Sequence, residues 1–173
     1  MHEANLSLLY SQERIAAEVS RLAEEINRDY AGREILVVGI LKGSFLFIAD
    51  LVRQLTVPVT VDFMRLASYG TETQSSGIVE LRKDIELPVL GKDLLIIEDI
   101  VDSGLTLDTL HTKLMQKKPG SLKICTLIEK TGQREGSIKP DYVGLSMESG
   151  FIVGYGLDFN EQYRQLPDIY MLS

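Results

Sequence analysis

Residues 94–106, with the sequence LLIIEDIVDSGLT, set acidic side chains beside a turn that could bind phosphate. Gly104 permits a tight turn, and the backbone N–H groups and hydroxyls of residues 103–106 can donate hydrogen bonds to phosphate oxygens at a helix start. Carboxylates such as those of Glu98 and Asp99 repel phosphate, but they accept hydrogen bonds from a vicinal diol and bind Mg²⁺. A ribose 5-phosphate would satisfy both halves of the stretch, with its hydroxyls on the acids and its phosphate on the turn.

Taken alone, the D-S-G-x-T pattern also fits a plain N-capped helix. It is not a Walker A loop, since the G-x-x-x-x-G-K-[ST] spacing is missing, and no G-x-G-x-x-G follows a predicted strand. The sequence therefore supports neither a nucleoside triphosphatase nor a dinucleotide-binding protein. The paired acids upstream favour the sugar phosphate over the plain helix.

The composition indicates an ordered globular protein. A chain of 173 residues, 45% hydrophobic and 25% charged, can bury one sizeable core, so we expect a single domain over residues 1–173. The net charge of -7 gives no overall attraction to nucleic acid or anionic lipid. The sequence has no signal-peptide pattern and no apolar run long enough to span a bilayer, so we expect a soluble, cytoplasmic protein. The single cysteine, Cys125, is expected to pack in an apolar strand rather than to react.

Apolar patterns predict strands that alternate with helices. The strands are expected at ILVVGIL (35–41), VTVDFMRL (59–66), LLIIED (94–99) and KICTLIEK (123–130). The helices are expected from Ser11 to Asp29, in SFLFIADLVRQL (44–55) and in LTLDTLHTKLMQKK (105–118). Because the strands are almost continuously apolar, this alternation predicts a parallel sheet covered on both faces. YVGLSM and FIVGYGLD predict shorter strands, at an edge or in a small appended subdomain.

The polar segment SYGTETQSSG (68–77) interrupts this pattern and holds two glycines. Long loops in compact domains often serve as lids, so we predict a long mobile lid loop here. A solvated hairpin tip is the alternative that the sequence leaves open.

Three predicted strands end in residues that could bind a ligand. Lys42 and Gly43 follow the first, Glu98 and Asp99 end the second, and Lys130 ends the third. Ligands bind outside the carboxyl ends of the strands in an open parallel sheet, so these residues are expected to share one crevice.

The run IIEDIVDSGLTL resembles the ribose-phosphate signature of the type I phosphoribosyltransferases, in which two acids and two apolar residues precede D-[ST]-G-x-T. Three further stretches, GILKGSF (39–45), DFMRLASYG (62–70) and residues 139–167, resemble the hypoxanthine-guanine branch of that family. The motifs follow the family order over residues 35–170. The resemblance implies the family's α/β fold: a central, mostly parallel sheet flanked by helices, with a small hood subdomain and a mobile lid loop.

The resemblance also implies roles for individual residues. The ribose and 5′-phosphate would be bound by Glu98, Asp99, Ser103, Gly104, Leu105 and Thr106. The diphosphate would be bound by Leu41, Lys42, Gly43 and Arg164. The purine would be bound by Lys130, Phe151, Ile152 and Asp158. Mg²⁺, the implied cofactor, would be bound by Glu98, Asp99 and Asp158.

Further roles implied by the resemblance concern catalysis and closure. Asp102 would be the catalytic general acid/base at the purine N7, and Ser68 and Tyr69 would belong to the lid. The family often has a cis peptide bond before the residue equivalent to Lys42. Arg134 could bridge the diphosphate loop or be solvated.

The implied activity is purine salvage. A 5-phosphoribosyl group would pass from 5-phosphoribosyl 1-diphosphate to N9 of hypoxanthine, or of guanine, giving IMP or GMP and diphosphate. Lys130 disfavours adenine, whose 6-amino group is itself a donor. Orotate or uracil as the base, and a regulator on the same fold that binds RNA or DNA, are alternatives, although the acidic charge argues against the regulator. The family's usual dimers or tetramers imply a homo-oligomer. The acidic net charge and the lack of a membrane-spanning run lead us to expect no nucleic-acid or membrane partner.

Overall fold

The computed structural model describes residues 5–71 and 74–173, with side chains described outside residues 68–78. In chain order its elements are β1 (Leu6–Tyr10), α1 (Gln12–Asp29), β2 (Ile35–Leu41), α2 (Phe45–Val52), β3 (Val59–Thr71), β4 (Gln74–Lys83), β5 (Asp93–Val101), α3 (Leu105–Gln116), β6 (Ser121–Lys130), β7 (Tyr142–Met147), β8 (Phe151–Val153) and β9 (Ile169–Leu172).

The central sheet has the strand order β4-β3-β2-β5-β6-β7. Parallel pairing runs from β3 through β2, β5 and β6 to β7, and β4 lies antiparallel to β3 at one edge. Residues 35–40 of β2 are all buried, as expected for a strand that is covered on both faces. The mostly parallel sheet predicted from the apolar runs is confirmed.

Alternate residues of the parallel strands face two separate hydrophobic clusters. Val37 and Leu95 pack in one cluster with α1 and α2, whereas Leu36 and Ile96 pack in the other with α3. The two-residue period of a strand thus gives each face of the sheet its own helix layer. Cys125 is fully buried in the first cluster, and burial raises the pKa of its thiol, as expected for a packing residue.

The first helix follows from an N-cap and an apolar stripe. The Ser11 side chain accepts a hydrogen bond from the backbone N–H of Arg14 at 3.2 Å, which satisfies one of the N–H groups at the helix start. Ile15, Val19 and Leu22 recur at helical spacing and are buried against the sheet. Within the described residues, no helix combines the length and the apolar character needed to cross a membrane.

A small antiparallel sheet, β1-β9-β8, lies beside the central one. Leu6 of β1 pairs with Leu172 of β9, which joins the two ends of the described chain. Of the two short strands expected near the C-terminus, β7 forms the edge of the central sheet and β8 belongs to the small sheet. The sequence patterns predicted neither β1 nor β9.

The lid segment differs from its prediction. β3 continues to Thr71, β4 begins at Gln74, and the two pair as an antiparallel hairpin in which Ser68 lies opposite Val79. The prediction of a long loop is therefore wrong for the described backbone, and the hairpin alternative is the one observed. Polar residues can extend a ladder that apolar neighbours have started, because the backbone supplies the hydrogen bonds. Residues 72 and 73, and the side chains of Ser68 and Tyr69, lie outside the described part.

Candidate active site

Two cavities adjoin at the carboxyl edge of the central sheet. The first, of about 230 Å³, is called the turn cavity and is lined by residues that include Glu98, Asp102, Ser103, Gly104 and Thr106. The second, of about 260 Å³, is called the aromatic cavity and is lined by Asp99, Ile100, Asp102, Lys130, Phe151, Ile152, Leu157 and Asp158. Asp102 and Ile100 line both cavities. Two of the three strand ends predicted to share a crevice meet here, since Glu98, Asp99 and Lys130 line these cavities. Lys42 and Gly43, from the third strand end, line neither cavity.

Glu98 and Asp99 form an acid pair near the carboxyl end of β5, which continues to Val101. Glu98 is only 7% exposed, and burial raises its pKa well above the ordinary value, with repulsion from Asp99 adding to the rise. Burial also raises the pKa of Asp99 to about 6, although the backbone N–H of Ile100 and the charge of Arg164 oppose the rise. Two enclosed carboxylates ionise together only at a cost, so a nearby cation would stabilise the pair.

The donor set fits a magnesium ion that is shared with a substrate. Among the described residues, no three His, Cys, Asp or Glu side chains cluster as a complete metal site. Mg²⁺ is commonly bound by one or two carboxylates and completes its shell with substrate oxygens and water. Glu98 and Asp99 supply such carboxylates, and Asp158 faces the same cavity as Asp99 while its oxygen lies 3.0 Å from Arg164 Nη2.

The turn between β5 and α3 has the conformation that the sequence predicted. Gly104 has φ +86°, a left-handed conformation that favours glycine, and α3 begins at the next residue. Ser103 and Thr106 line the turn cavity beside the start of α3, and backbone N–H groups at a helix start can donate to an anion. Leu105, the first residue of α3, adds an apolar side chain to this turn.

A second segment braces this turn, and sequence reasoning missed it. The carboxylate of Asp108 accepts hydrogen bonds from the backbone N–H groups of Ser137 and Ile138, both at 2.9 Å. Two further N–H groups of the segment 135–138 donate to the carbonyl of Ser103, also at 2.9 Å. The partners are about 30 residues apart in the chain, so no local pattern could reveal them.

Arg134 extends this brace. Its Nη1 donates to Glu129 at 2.7 Å, and its Nη2 donates to the carbonyl of Ile138. The side chain is 20% exposed. Arg134 is thus a bracing residue behind the turn, rather than the solvated residue that the sequence left possible.

The loop after β2 packs directly against the acid pair. The Leu41–Lys42 peptide bond is cis, as the resemblance implied. A methyl group on Gly43 would overlap Asp99 Oδ2 and would lie 2.8 Å from Asp99 Cγ. Ser44 is buried and its hydroxyl donates to the carbonyl of Ile40 at 2.6 Å. A larger residue at position 43 would therefore force the Asp99 carboxylate to move.

Lys42 and Arg164, the predicted diphosphate-binding cations, share one carboxylate. Lys42 Nζ lies 3.0 Å from Glu161 Oε2, and Arg164 Nη2 lies 3.4 Å from Glu161 Oε1. Arg164 also donates to the carbonyl of Gly156 at 2.7 Å. The strand-end pattern gave no reason to single out Glu161, which reaches the cations only through the fold of its loop.

The aromatic cavity combines a cation with an exposed ring. Lys130 Nζ lies 2.9 Å from Asp102 Oδ2, with the lysine side chain 13% exposed and that of the aspartate 55% exposed. Phe151 contacts the Phe159 ring edge to face, with centroids 5.6 Å apart. Ile152 is buried in β8 beside it. A flat heterocycle on Phe151 would lie within reach of both charged groups.

Comparison with known proteins agrees with this geometry. Residues 6–160 match the family model of the phosphoribosyl transferase domain. The chain belongs to the phosphoribosyltransferase family. It is 44% identical to the hypoxanthine-guanine phosphoribosyltransferase of Aquifex aeolicus, over 97% of this chain and 95% of that protein. The same enzyme of Bacillus subtilis is 44% identical, over 96% of this chain and 92% of that protein.

Solved structures of the phosphoribosyltransferase family share the fold. The hypoxanthine-guanine phosphoribosyltransferase of Bacillus anthracis superposes with a TM-score of 0.93 at 44% identity, over 99% of this chain and 100% of that chain. The hypoxanthine phosphoribosyl transferase of Trypanosoma cruzi superposes with a TM-score of 0.91 at 37% identity, over 100% and 94% of the two chains. The expected α/β fold class is confirmed by these structures.

Proposed function

We propose that this chain is a purine salvage enzyme that transfers the 5-phosphoribosyl group of 5-phosphoribosyl 1-diphosphate to N9 of hypoxanthine, and of guanine. The products are IMP or GMP and diphosphate. The observation that carries the proposal is the enclosed acid pair, Glu98 and Asp99, which opens toward the phosphate-binding turn on one side and the aromatic cavity on the other. Its relatives named hypoxanthine-guanine phosphoribosyltransferase support the choice of substrates.

In this proposal the sugar phosphate lies along the turn cavity. Glu98 and Asp99 accept hydrogen bonds from the ribose hydroxyls. The 5′-phosphate is held by the hydroxyls and backbone of residues 103–106, which include Leu105 and Thr106. The brace from Asp108 keeps this turn in place. The left-handed backbone at Gly104 supports the assignment, because it turns the chain into the helix start where an anion is stabilised.

The leaving diphosphate is held on the other side of the acid pair. Lys42 and Arg164 supply positive charge, and the backbone of residues 41–43 supplies N–H groups. Mg²⁺, held by Glu98, Asp99 and Asp158, would neutralise charge that develops on the diphosphate oxygens. Such groups lower the barrier because they interact more strongly with the departing anion than with the intact substrate.

The base lies in the aromatic cavity. Phe151 stacks on the purine, the backbone of Ile152 reads its edge, and Lys130 donates to the 6-oxo group. Asp102 moves the proton at N7 while N9 attacks C1′ of the ribose. The position of Asp102 on both cavities supports this role, because the reacting bond has to lie between the sugar and the base.

The hairpin of β3 and β4 is proposed to close over the reaction. Ser68 and Tyr69 lie on it, and closure would exclude water from a ribose that carries positive charge. We further propose one catalytic domain over residues 1–173, a cytoplasmic location and a dimer or tetramer. The Trypanosoma cruzi structure comes from work on the role of the C-terminal region in oligomeric state, which supports testing the assembly.

A spectrophotometric assay tests the proposal. The purified protein is mixed with 5-phosphoribosyl 1-diphosphate and Mg²⁺, and hypoxanthine, guanine, xanthine, adenine, orotate or uracil is added in turn. We expect turnover with hypoxanthine and guanine, dependence on Mg²⁺, and little turnover with adenine. Turnover with adenine, orotate or uracil, and with no 6-oxopurine, would reject the proposed base. Retention of RNA in a filter-binding assay, without turnover of any base, would favour the alternative of a nucleic-acid-binding regulator.

A further inference from the structure

Glu161 lies where the proposed function requires the diphosphate to bind. Its two carboxylate oxygens divide between Lys42 Nζ, at 3.0 Å, and Arg164 Nη2, at 3.4 Å. A carboxylate that bridges two cations matches the charge and the reach of one phosphoryl group of a diphosphate. The same cations therefore cannot pair fully with Glu161 and with a substrate at once.

The loop around Glu161 fixes it in this position. Asn160, Glu161 and Tyr163 have φ of +50°, +62° and +74°, which few residues other than glycine adopt readily. The backbone N–H of Glu161 donates to Asp158 Oδ2 at 2.8 Å. The side chain is nevertheless 64% exposed, so it can swing away once the cations find another partner. The backbone is held while the carboxylate is movable.

The interaction is an ion pair on both sides. The hydrogen bond from Lys42 lowers the pKa of Glu161 below its ordinary value, and the charge of Arg164 adds to this effect. The carboxylate is thus ionised at neutral pH. In the free protein it compensates Lys42 and shares Arg164 with Asp158, whose oxygen lies closer to Arg164 Nη2, at 3.0 Å. It would repel a diphosphate that stayed beside it.

We propose that Glu161 is a positioning residue that takes the place of diphosphate in the free enzyme. It holds Lys42 and Arg164 toward the site and is displaced when 5-phosphoribosyl 1-diphosphate binds. It then returns as diphosphate leaves, which weakens product binding and assists release. This inference rests on the proposed function, because it takes Lys42 and Arg164 as the diphosphate-binding cations.

Calorimetry with magnesium diphosphate tests the inference on the full chain. Glu161→Gln keeps the length and the backbone of the residue but removes the competing charge. We expect magnesium diphosphate to bind this variant roughly three- to tenfold more tightly than the unaltered protein, in keeping with the modest strength of exposed ion pairs. The KM for 5-phosphoribosyl 1-diphosphate should fall, and kcat should fall or stay level because release becomes slower.

Two controls separate this role from a purely structural one. Glu86→Gln removes another exposed carboxylate, paired with Lys83 at 2.7 Å, and should leave diphosphate affinity unchanged. IMP, which does not carry a diphosphate, should bind Glu161→Gln as it binds the unaltered protein. Glu161→Asn, whose side chain suits the left-handed backbone better, should act like Glu161→Gln if the latter folds poorly.

The outcomes are distinguishable. Weaker or unchanged diphosphate binding in Glu161→Gln, with normal IMP binding, overturns the inference and leaves the proposed function standing. Failure of the unaltered protein to bind IMP or diphosphate overturns both. Tighter diphosphate binding that is confined to the Glu161 variants supports the inference.

Discussion

Gly43→Ala is the substitution that most directly tests how the diphosphate loop packs on the acid pair. The added methyl group would overlap Asp99 Oδ2 and lie 2.8 Å from Asp99 Cγ. Carbon atoms in contact are normally about 3.5 to 4.0 Å apart, so Asp99 Cγ has to move by roughly 0.7 to 1.2 Å, and Oδ2, which the methyl group overlaps, has to move further. The other oxygen of Asp99 accepts a hydrogen bond from Ile100 at 2.9 Å, which the movement would strain.

The size of the effect follows from that displacement. A misplacement of about 1 Å in a catalytic arrangement can cost on the order of 10²-fold in rate. We therefore expect kcat/KM for 5-phosphoribosyl 1-diphosphate to fall by roughly 10- to 100-fold. Overpacking of this kind also lowers the free energy of unfolding by about 1 to 3 kcal/mol.

The assay compares Gly43→Ala with a substitution that causes a similar overlap far from the site. A methyl group on Gly120, before β6, would lie 2.6 Å from the carbonyl oxygen of Gly91. Gly120→Ala should therefore lower stability in urea unfolding but keep its kcat/KM. If folded Gly43→Ala retained the kcat/KM of the unaltered protein, the contact between the loop and Asp99 would not be needed for catalysis and the reasoning would be refuted.

Three further substitutions test other parts of the account. Asp102→Asn should slow turnover by roughly 10² to 10⁴, the usual contribution of a general acid/base, and unchanged turnover would remove Asp102 from the chemistry. Leu110→Ala should lower the free energy of unfolding by about 2 to 5 kcal/mol in urea, because Leu110 is fully buried on the face of α3 that packs against the sheet; a loss below about 1 kcal/mol would contradict the packing. Burial acts to raise the pKa of Asp108, but the hydrogen bonds from Ser137 and Ile138 outweigh it and hold the pKa below its ordinary value. The stability that these hydrogen bonds supply is present above the unfolded pKa of about 3.9 and is lost as pH falls through the lower folded pKa. Asp108→Asn should therefore lower the free energy of unfolding by about 1 to 2 kcal/mol at pH 7, and this difference from the unaltered protein should shrink in acid. A difference that is independent of pH would contradict the role of Asp108.

The central sheet could be predicted because its signal is local. Buried parallel strands are almost continuously apolar, and residues 35–41 and 94–99 show this directly. The amphipathic helix after Ser11 has both a cap and a stripe. These features depend only on residues that are close together in the chain, so they can be predicted from the sequence.

The small sheet and the hairpin could not be predicted for the opposite reason. β1 and β9 are short strands that pair across most of the chain, as Leu6 does with Leu172. The polar residues of β3 and β4 show no alternation of apolar and polar side chains. These strands are held together by backbone hydrogen bonds between them. Composition alone therefore favoured a loop.

The site divides in the same way. One continuous stretch contains Glu98, Asp99 and the turn at 102–106. Its residue types alone indicate what it could bind. Asp108, Arg134 and Glu161 act through contacts that the tertiary fold brings together. The motifs located the crevice and singled out Arg134, but they indicated neither Asp108, which braces the turn, nor Glu161, which pairs with Lys42 and Arg164.

A crystal structure of the protein with IMP and Mg²⁺ tests the central claim most directly. The account predicts that the 5′-phosphate lies on residues 103–106 beside Gly104, that the ribose hydroxyls face Glu98 and Asp99, and that the base lies on Phe151. Nucleotide bound elsewhere, or a sugar turned away from the two acids, would contradict the account.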